Sequence, residues 1–245
     1  MKAAAATRTE LLLGREGVRN LADSFVVLTG CGAVGGYALE ALVRAGIGRV
    51  RVVDDGSIAE SNLNRQVLAT RETVGRMKVE VAEERARSIN PDIVFEGIPE
   101  LVTARNVPRL LSGGPDILVD AIDTVQHKTL LLRYAAEQGM VTFSSMGAAL
   151  RTETDRIKVA TLRKTYRCPL ANGVRTGLKD VDTSAITCVF SDEEVRRKPT
   201  ERNDRDKSIL GSLPTVPAVF GMVLANEAIR YLAAGGRDGG SSVTR

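Results

Sequence analysis

Ser24-Phe25-Val26-Val27-Leu28-Thr29-Gly30-Cys31-Gly32-Ala33-Val34-Gly35-Gly36 is the stretch on which the reading of the fold turns. Phe25 to Thr29 is a short apolar, β-branched run of the kind that forms a strand buried on both faces. Gly30-x-Gly32-x-x-Gly35 follows at once, and a helical pattern then runs through Ala45. After Gly48 comes a second strand, Arg49 to Val53, ending at Asp54. Strand, glycine turn, helix and strand make one βαβ unit. In that setting the turn can present backbone N–H groups and a helix N-terminus to a phosphate. The motif alone suits NAD, FAD or ATP equally, and a purely structural tight turn also fits it.

Working outward, Val74 to Ile89 reads as a helix stopped by Asn90-Pro91, and Ile93–Phe95 as a strand. A short helix is expected at Val107–Leu111, a strand at Ile117–Val119, a helix at Val125–Ala136 and a strand at Val141–Ser144. Beyond Gly147 the rhythm changes. Ile157–Val159 and Ala185–Phe190 read as strands separated by a basic, loop-rich stretch from Arg163 to Lys179, and Pro217–Ala233 as a closing helix. The expected architecture is an α/β, Rossmann-like, mainly parallel sheet with helices on both faces and antiparallel additions in the C-terminal half. Residues 1–234 are expected to form a single domain, residues 191–209 a charged mobile loop, and residues 235–245 a flexible tail.

Composition bounds the setting. The chain has 245 residues, 43% hydrophobic and 26% charged, which is ordinary globular chemistry. No signal peptide is evident and the apolar stretches fall short of a bilayer span, so no membrane partner is expected. Three widely spaced cysteines, Cys31, Cys168 and Cys188, argue against a disulfide framework and for the cytoplasm, and they exclude a four-thiolate zinc site within one chain. A net charge of +4 suits an RNA partner or simply a mildly basic surface.

The segments after the glycine turn narrow the chemistry. Asp54-Asp55-Gly56 closes the second strand, and Ser61-Asn62-Leu63-Asn64-Arg65-Gln66 follows with an arginine that dehydrogenase chemistry does not ask for. Lys78 comes next. Each cation alone reads as a solvated surface residue, but two beside a phosphate turn suit a triphosphate under attack. Asp120-Ala121-Ile122-Asp123 ends the Ile117–Val119 strand, so its acids point to the same crevice as Gly30 and Asp54. A carboxylate there can hold Mg²⁺ on phosphates, whereas Asp123 can also be read as a helix N-cap.

Together, Gly30-x-Gly32-x-x-Gly35, Ser61-Asn62-Leu63-x-Arg65-Gln66, Val74-Gly75-x-x-Lys78 and Asp120-Ala121-x-Asp123 resemble the adenylating enzymes related to ubiquitin-activating enzyme, the ThiF/MoeB/HesA superfamily. Three further segments sharpen the likeness. Asp120-Ala121-Ile122-Asp123-x-Val125-x-x-Lys128, Thr187-Cys188-Val189-Phe190-Ser191-x-Glu193 and Gly211-Ser212-x-Pro214-x-x-Pro217-x-x-Phe220-Gly221 are similar to the tRNA threonylcarbamoyladenosine dehydratases, from about Arg8 to Leu232.

The resemblance implies an ATP- and Mg²⁺-dependent enzyme. It would adenylate the carboxylate of N6-threonylcarbamoyladenosine at tRNA position 37 and close it to a cyclic product. Asn62, Arg65 and Lys78 would contact the phosphates, Arg65 and Lys78 would stabilise the transition state, and Asp123 would bind ATP–Mg²⁺. Asp54 would hold the ribose hydroxyls. The acid common two residues later in the superfamily is Gly56 here, which raises the question whether Asp55 compensates. Arg8 looks like the arginine lent to the neighbouring subunit in a homodimer, and a sulfur-relay protein is a further partner that the likeness allows.

Other residues carry two readings each. Cys188 is either a reactive thiol or a buried strand residue. His127 is either a base or a surface residue. Arg163, Lys164, Arg167, Arg175 and Lys179 form either a tRNA-facing patch or a solvated loop. Three alternative functions remain open at this level. One is adenylation of the C-terminal Gly-Gly of a sulfur-carrier protein, against which the lack of CxxC pairs counts. The others are a dinucleotide-dependent oxidoreductase and a nucleotide-sensing module.

Overall fold

The side chains of β1, Phe25–Thr29, alternate between two separate apolar clusters, as a strand covered on both faces must. Val26 and Leu28 join one cluster, while Phe25 and Val27 join the other. The computed structural model describes residues 3–195 and 210–236, so most of the expected loop at 191–209 and of the tail at 235–245 lies outside the described residues.

In chain order the elements are α1 Ala3–Asp23, β1, α2 Gly35–Ala45, β2 Arg49–Val53, α3 Lys78–Ile89, β3 Val94–Ile98, α4 Val107–Leu110, β4 Ile117–Asp120, α5 Val125–Glu137, β5 Thr142–Ser145, β6 Ile157–Thr161, α6 Pro169–Gly177, β7 Ile186–Ser191 and α7 Thr215–Ala233. They build one seven-stranded sheet in the order β3-β2-β1-β4-β5-β7-β6. Every pairing is parallel except β6 with β7, so the expected antiparallel addition is this one edge strand.

The order reverses between β1 and β4. The crevice beyond their carboxyl ends is therefore the topological switch point, where open α/β sheets hold ligands. The glycine turn leaves β1 at that crevice, and Asp120 ends β4 beside it, with Thr29 paired to Asp120 in register.

On one face Leu39 and Leu42 of α2, Val79 and Ala82 of α3, and Phe220 and Leu224 of α7 pack over Val50, Val52 and Val119. On the other, Val107 and Leu110 of α4 and Leu131 and Ala135 of α5 cover Leu118 and Val53. A third cluster joins Ala171 and Val174 of α6 to Ile186, Cys188 and Phe190 of β7. Truncating a fully buried member such as Leu28 or Phe220 to alanine costs about 2–5 kcal/mol.

Four expectations need correction. The helix read from Val74 starts at Lys78, because Gly75 has φ of +90° and Met77 is extended. The basic stretch from Arg163 to Lys179 contains α6, which Cys168 caps by accepting from the Ala171 amide. Helix α1 was not foreseen; it breaks at Gly14 (φ 74°, ψ 170°). Finally, α7 is 19 residues long and apolar enough in composition to cross a membrane, contrary to the expectation that no stretch reaches that length. Its Val216, Phe220, Leu224, Ala228 and Leu232 are buried in the core.

Candidate active site

Two glycines of the turn are demanded by the fold and one is not. A Cβ at Gly35 would lie 1.8 Å from the Gly30 carbonyl oxygen, and one at Gly30, where φ is +82°, would lie 2.8 Å from the Ala121 oxygen. At Gly32 the nearest atom would be Gln66 Nε2 at 3.8 Å, an ordinary contact. The backbone at Gly32 is thus open rather than packed, as close approach of a phosphate requires.

Asp54 organises the floor. Its carboxylate accepts from the Cys31 amide at 2.6 Å and from the Gly56 amide at 2.8 Å, and Lys78 Nζ stands 3.6 Å from the same group. Both side chains are largely buried, 9% and 16% exposed, so the pair is held in place rather than loose in solvent. The delayed helix start explains how Lys78 arrives there. Gly75 donates to Ile58 and Ile58 to Arg76, Ser57 bridges Met77, and the Lys78 amide donates to Gly56, zipping residues 56–58 to 75–78. Lys78 is therefore the first residue of α3, over the end of β2.

Gly56 lies in the same knot. A Cβ there would meet Asp54 Oδ1 at 3.0 Å and Lys78 Nζ at 3.1 Å. Asp55 is exposed and makes no hydrogen bond or ion pair among the described residues. Cys31 is fully buried, and burial followed by the Asp54 charge pushes its thiol far above the ordinary value, which fits a packing residue.

The Ser61–Gln66 segment lies along the turn through Gln66, which is buried beside Gly32, and through Val67, which packs at Gly36. Asn62 Oδ1 accepts from the Ala59 amide, fixing a short 3₁₀ turn. Arg65 donates to the Ser61 carbonyl at 2.9 Å and to Asn64 Oδ1 at 2.8 Å, and it has no carboxylate partner among the described residues. Asn64 in turn donates to the Ser212 carbonyl, 148 residues away. Nothing local in the sequence announces that tie.

At the end of β4 the two acids separate into different jobs. Asp120 is fully buried and pairs with fully buried Lys128 at 2.5 Å. It also accepts from Ser144 Oγ and the Ile122 amide, while Lys128 donates to the Ile122 carbonyl. That network braces the Ala121–Ile122 backbone which Gly30 faces. Asp120 is thereby used within the protein, and Lys128 emerges as a bracing residue whose quoted spacing from Asp120 was its sequence signal. Asp123 is exposed and accepts a 3.3 Å bond from Thr124. Thr124, not Asp123, occupies the N-cap of α5, so the capping explanation for Asp123 does not hold.

Other expected residues lie elsewhere. Arg8 is exposed on the first half of α1, ahead of the Gly14 break. Cys188 is fully buried, and burial pushes its thiol up to about 12, so it sits in β7 as a core residue. His127 is half-buried rather than on the surface, with Nδ1 2.8 Å from the Val102 carbonyl. Among the basic residues, Arg163 donates to the carbonyls of Leu178, Lys179 and Val181, and Arg175 to Thr165. These two brace the loops around α6.

The chain that carries this glycine turn and buried Asp54–Lys78 pair has counterparts among known proteins along most of its length. The sequence profile of the ThiF family matches residues 6–242. The chain belongs to the ThiF family. Within that family it is similar to the tRNA threonylcarbamoyladenosine dehydratase of Bacillus subtilis, 33% identical over 237 residues that span 92% of this chain and 93% of the relative. The Escherichia coli enzyme of the same name is 32% identical over 247 residues, 92% of each chain. The crystal structure of the Escherichia coli dehydratase in complex with ATP matches with a TM-score of 0.87 at 32% identity, covering 96% of this chain and 97% of that one. The ThiF fold of this chain is therefore that of an ATP-binding relative along essentially its whole length.

Proposed function

We propose that this ThiF-family chain is an ATP-dependent tRNA threonylcarbamoyladenosine dehydratase, a single adenylating domain over residues 1–234. The observation that carries the reading is Lys78, fixed against Asp54 beside an open Gly32 backbone, with Arg65 on the neighbouring segment free of any carboxylate partner among the described residues. Surplus positive charge at a phosphate turn answers the need of a triphosphate at the moment of attack. Relatives at about one-third identity carrying that name, one of them crystallised with ATP, support it.

In this reading the substrate carboxylate attacks the α-phosphorus and pyrophosphate leaves, giving an acyl-adenylate. A ureido nitrogen then attacks the acyl carbon, AMP departs, a proton is lost and the ring closes; the net change is loss of water. The Gly30–Gly35 turn receives the phosphates at its open Gly32 backbone, with Gly30, whose amide is spent on the Val53 carbonyl, and Gly35 shaping the turn; Asn62 and Arg65 orient the phosphates, and Arg65 and Lys78 offset the growing charge. Asp54 faces the ribose.

Asp123, exposed and bonded to Thr124 alone among the described residues, is a suitable single carboxylate for Mg²⁺, which takes few protein oxygens. The ion would neutralise phosphate charge. The proposal includes a homodimer in which Arg8 reaches the partner's nucleotide; Leu11 and Leu12, 84% and 83% exposed on the same helix, support a covered α1 surface. A cytoplasmic setting belongs to the same reading. For a sulfur-relay partner, buried Cys188 offers no accessible thiol.

The test is conversion of ATP to AMP by the purified chain. AMP is expected with tRNA carrying N6-threonylcarbamoyladenosine and not with unmodified tRNA. AMP formed on a sulfur-carrier protein instead, or none under any condition, would overturn the assignment.

A further inference from the structure

We infer that a cavity walled by the Arg65 segment's tether is an oxyanion-binding subsite for the second substrate, with Arg151 as the residue that reads it. The inference rests on the adenylating function proposed above and names where the carboxylate-bearing nucleoside, or a phosphate of its RNA, is held. The cavity has a volume of about 470 Å³ and includes Leu150, Arg151, Arg167 and Ser212 in its lining. Its wall is continuous with the nucleotide site, because Ser212 accepts from Asn64 and Leu150 donates to Gly211.

Arg151 is 2% exposed, and its guanidinium presents several donors in one plane. One nitrogen, Nη2, donates to the Arg167 carbonyl at 2.8 Å. Nε and Nη1 have no partner among the described residues. Buried donors left unmatched are uncommon, and charged ones more so, since burial removes their water. Such a group is suited to an acceptor that arrives with the ligand, and a guanidinium matches carboxylate or phosphate oxygens.

Two other charges of the lining, Arg156 and Glu193, are already engaged, and the Glu193 carboxylate also lies within electrostatic reach of Arg151. Arg156 stands 2.8 Å from Asp192, and the Glu193 carboxylate accepts from the Thr152 amide, the Thr152 hydroxyl and the Glu153 amide. Three arginines face three glutamates, so recognition comes from directed donors rather than from a broad positive field. The backbone is also set for a purpose. Leu150 (φ 61°) and Arg167 (φ 52°) are the non-glycine residues in the left-handed region among those described, and both line this cavity. Backbone held in that region concentrates at ligand sites.

The test pairs Arg151→Lys, which keeps the charge but loses the planar donors, with Leu213→Trp, which narrows the cavity from an exposed wall position and leaves Arg151 intact. Each variant is compared with wild type for its KM toward modified tRNA and toward ATP. Equilibrium binding of two probes, unmodified tRNA and the free N6-threonylcarbamoyladenosine nucleoside, is measured alongside. Both variants are expected to raise the KM for modified tRNA about tenfold or more, with the KM for ATP within about twofold of wild type. Loss confined to the nucleoside identifies the carboxylate as the bound oxyanion, and loss confined to unmodified tRNA identifies a phosphate. Should Arg151→Lys fail to fold by thermal melting, Leu213→Trp alone decides. Wild-type KM and binding in the folded variants, or an equal loss toward ATP, would overturn the subsite. Failure of the wild-type chain to form AMP at all would instead overturn the proposed function.

Discussion

A side chain at position 32 has room and one at position 35 has none, although both positions belong to one glycine motif. The difference separates stability from binding residue by residue. Gly32→Ala is expected to leave unfolding free energy unchanged or raised by up to about 1 kcal/mol, since its backbone angle is ordinary and the unfolded chain loses freedom. ATP affinity is expected to fall about tenfold or more, because the methyl group stands where a phosphate must approach. Calorimetric titration beside a urea melt checks both; a variant that binds ATP normally shows that Gly32 is not in the phosphate cradle. The opposite pattern is expected at Lys128. Lys128→Met strands a fully buried Asp120 carboxylate and should cost about 3–5 kcal/mol by urea denaturation. Loss of less than about 1 kcal/mol would show that the Asp120–Lys128 pair does not hold the end of β4 against α5.

Between elements, the tie with the clearest pH dependence joins α2 to α3. Glu40 of α2 accepts from Arg44 on its own helix and from Arg85 on α3. Burial pushes the Glu40 carboxyl up, but the hydrogen bonds from Arg85 and Arg44 outweigh it and leave the group below its ordinary value. A folded value below the unfolded one means that the contribution is present above the unfolded value and is lost as pH falls through the folded one. Both arginines are about half exposed, so screening limits the gain. Glu40→Gln is expected to lose about 1–2 kcal/mol at pH 7, and the gap to wild type should close as pH drops below about 4. A gap that persists at pH 2–3 assigns the loss to packing instead.

Helix α3 also shows what local pattern reading misses. Val74 to Met77 carries helical composition, yet Gly75 turns left-handed and the 56–58 to 75–78 pairing takes the backbone groups that a helix would use. Helix α6 was hidden for a different reason. It is only nine residues long, opens on Pro169 and contains Gly173 and Gly177, so its short apolar face, with Ala171 and Val174 buried, is carried by residues that also suit a loop.

For the molecule as a whole, β1, the glycine turn, α2 and β2 were legible because they are contiguous and their periodicity is set by burial on both faces. Asp54, Arg65, Lys78 and Asp123 were legible as a motif set, not as geometry. Their roles diverged once folded: Lys78 is anchored on Asp54, Arg65 lies on a segment tied to Ser212, and the neighbouring Asp120 is spent on bracing. Contacts such as Asn64 with Ser212 leave no local trace, because they join the segment after β2 to the one between β7 and α7, 148 residues on. Helix α1 was illegible for a similar reason. Leu11 and Leu12 face out, and Gly14 interrupts the period that would have announced a helix.

The most direct measurement is AMP formation by Lys78→Ala in the presence of ATP and tRNA bearing N6-threonylcarbamoyladenosine, with the melting temperature recorded on the same preparation. Loss of the amine that stands over Asp54 should lower the rate by at least about 10²-fold while the fold persists. A folded Lys78→Ala protein that forms AMP at the wild-type rate would contradict the claim that this lysine acts on the nucleotide's phosphates.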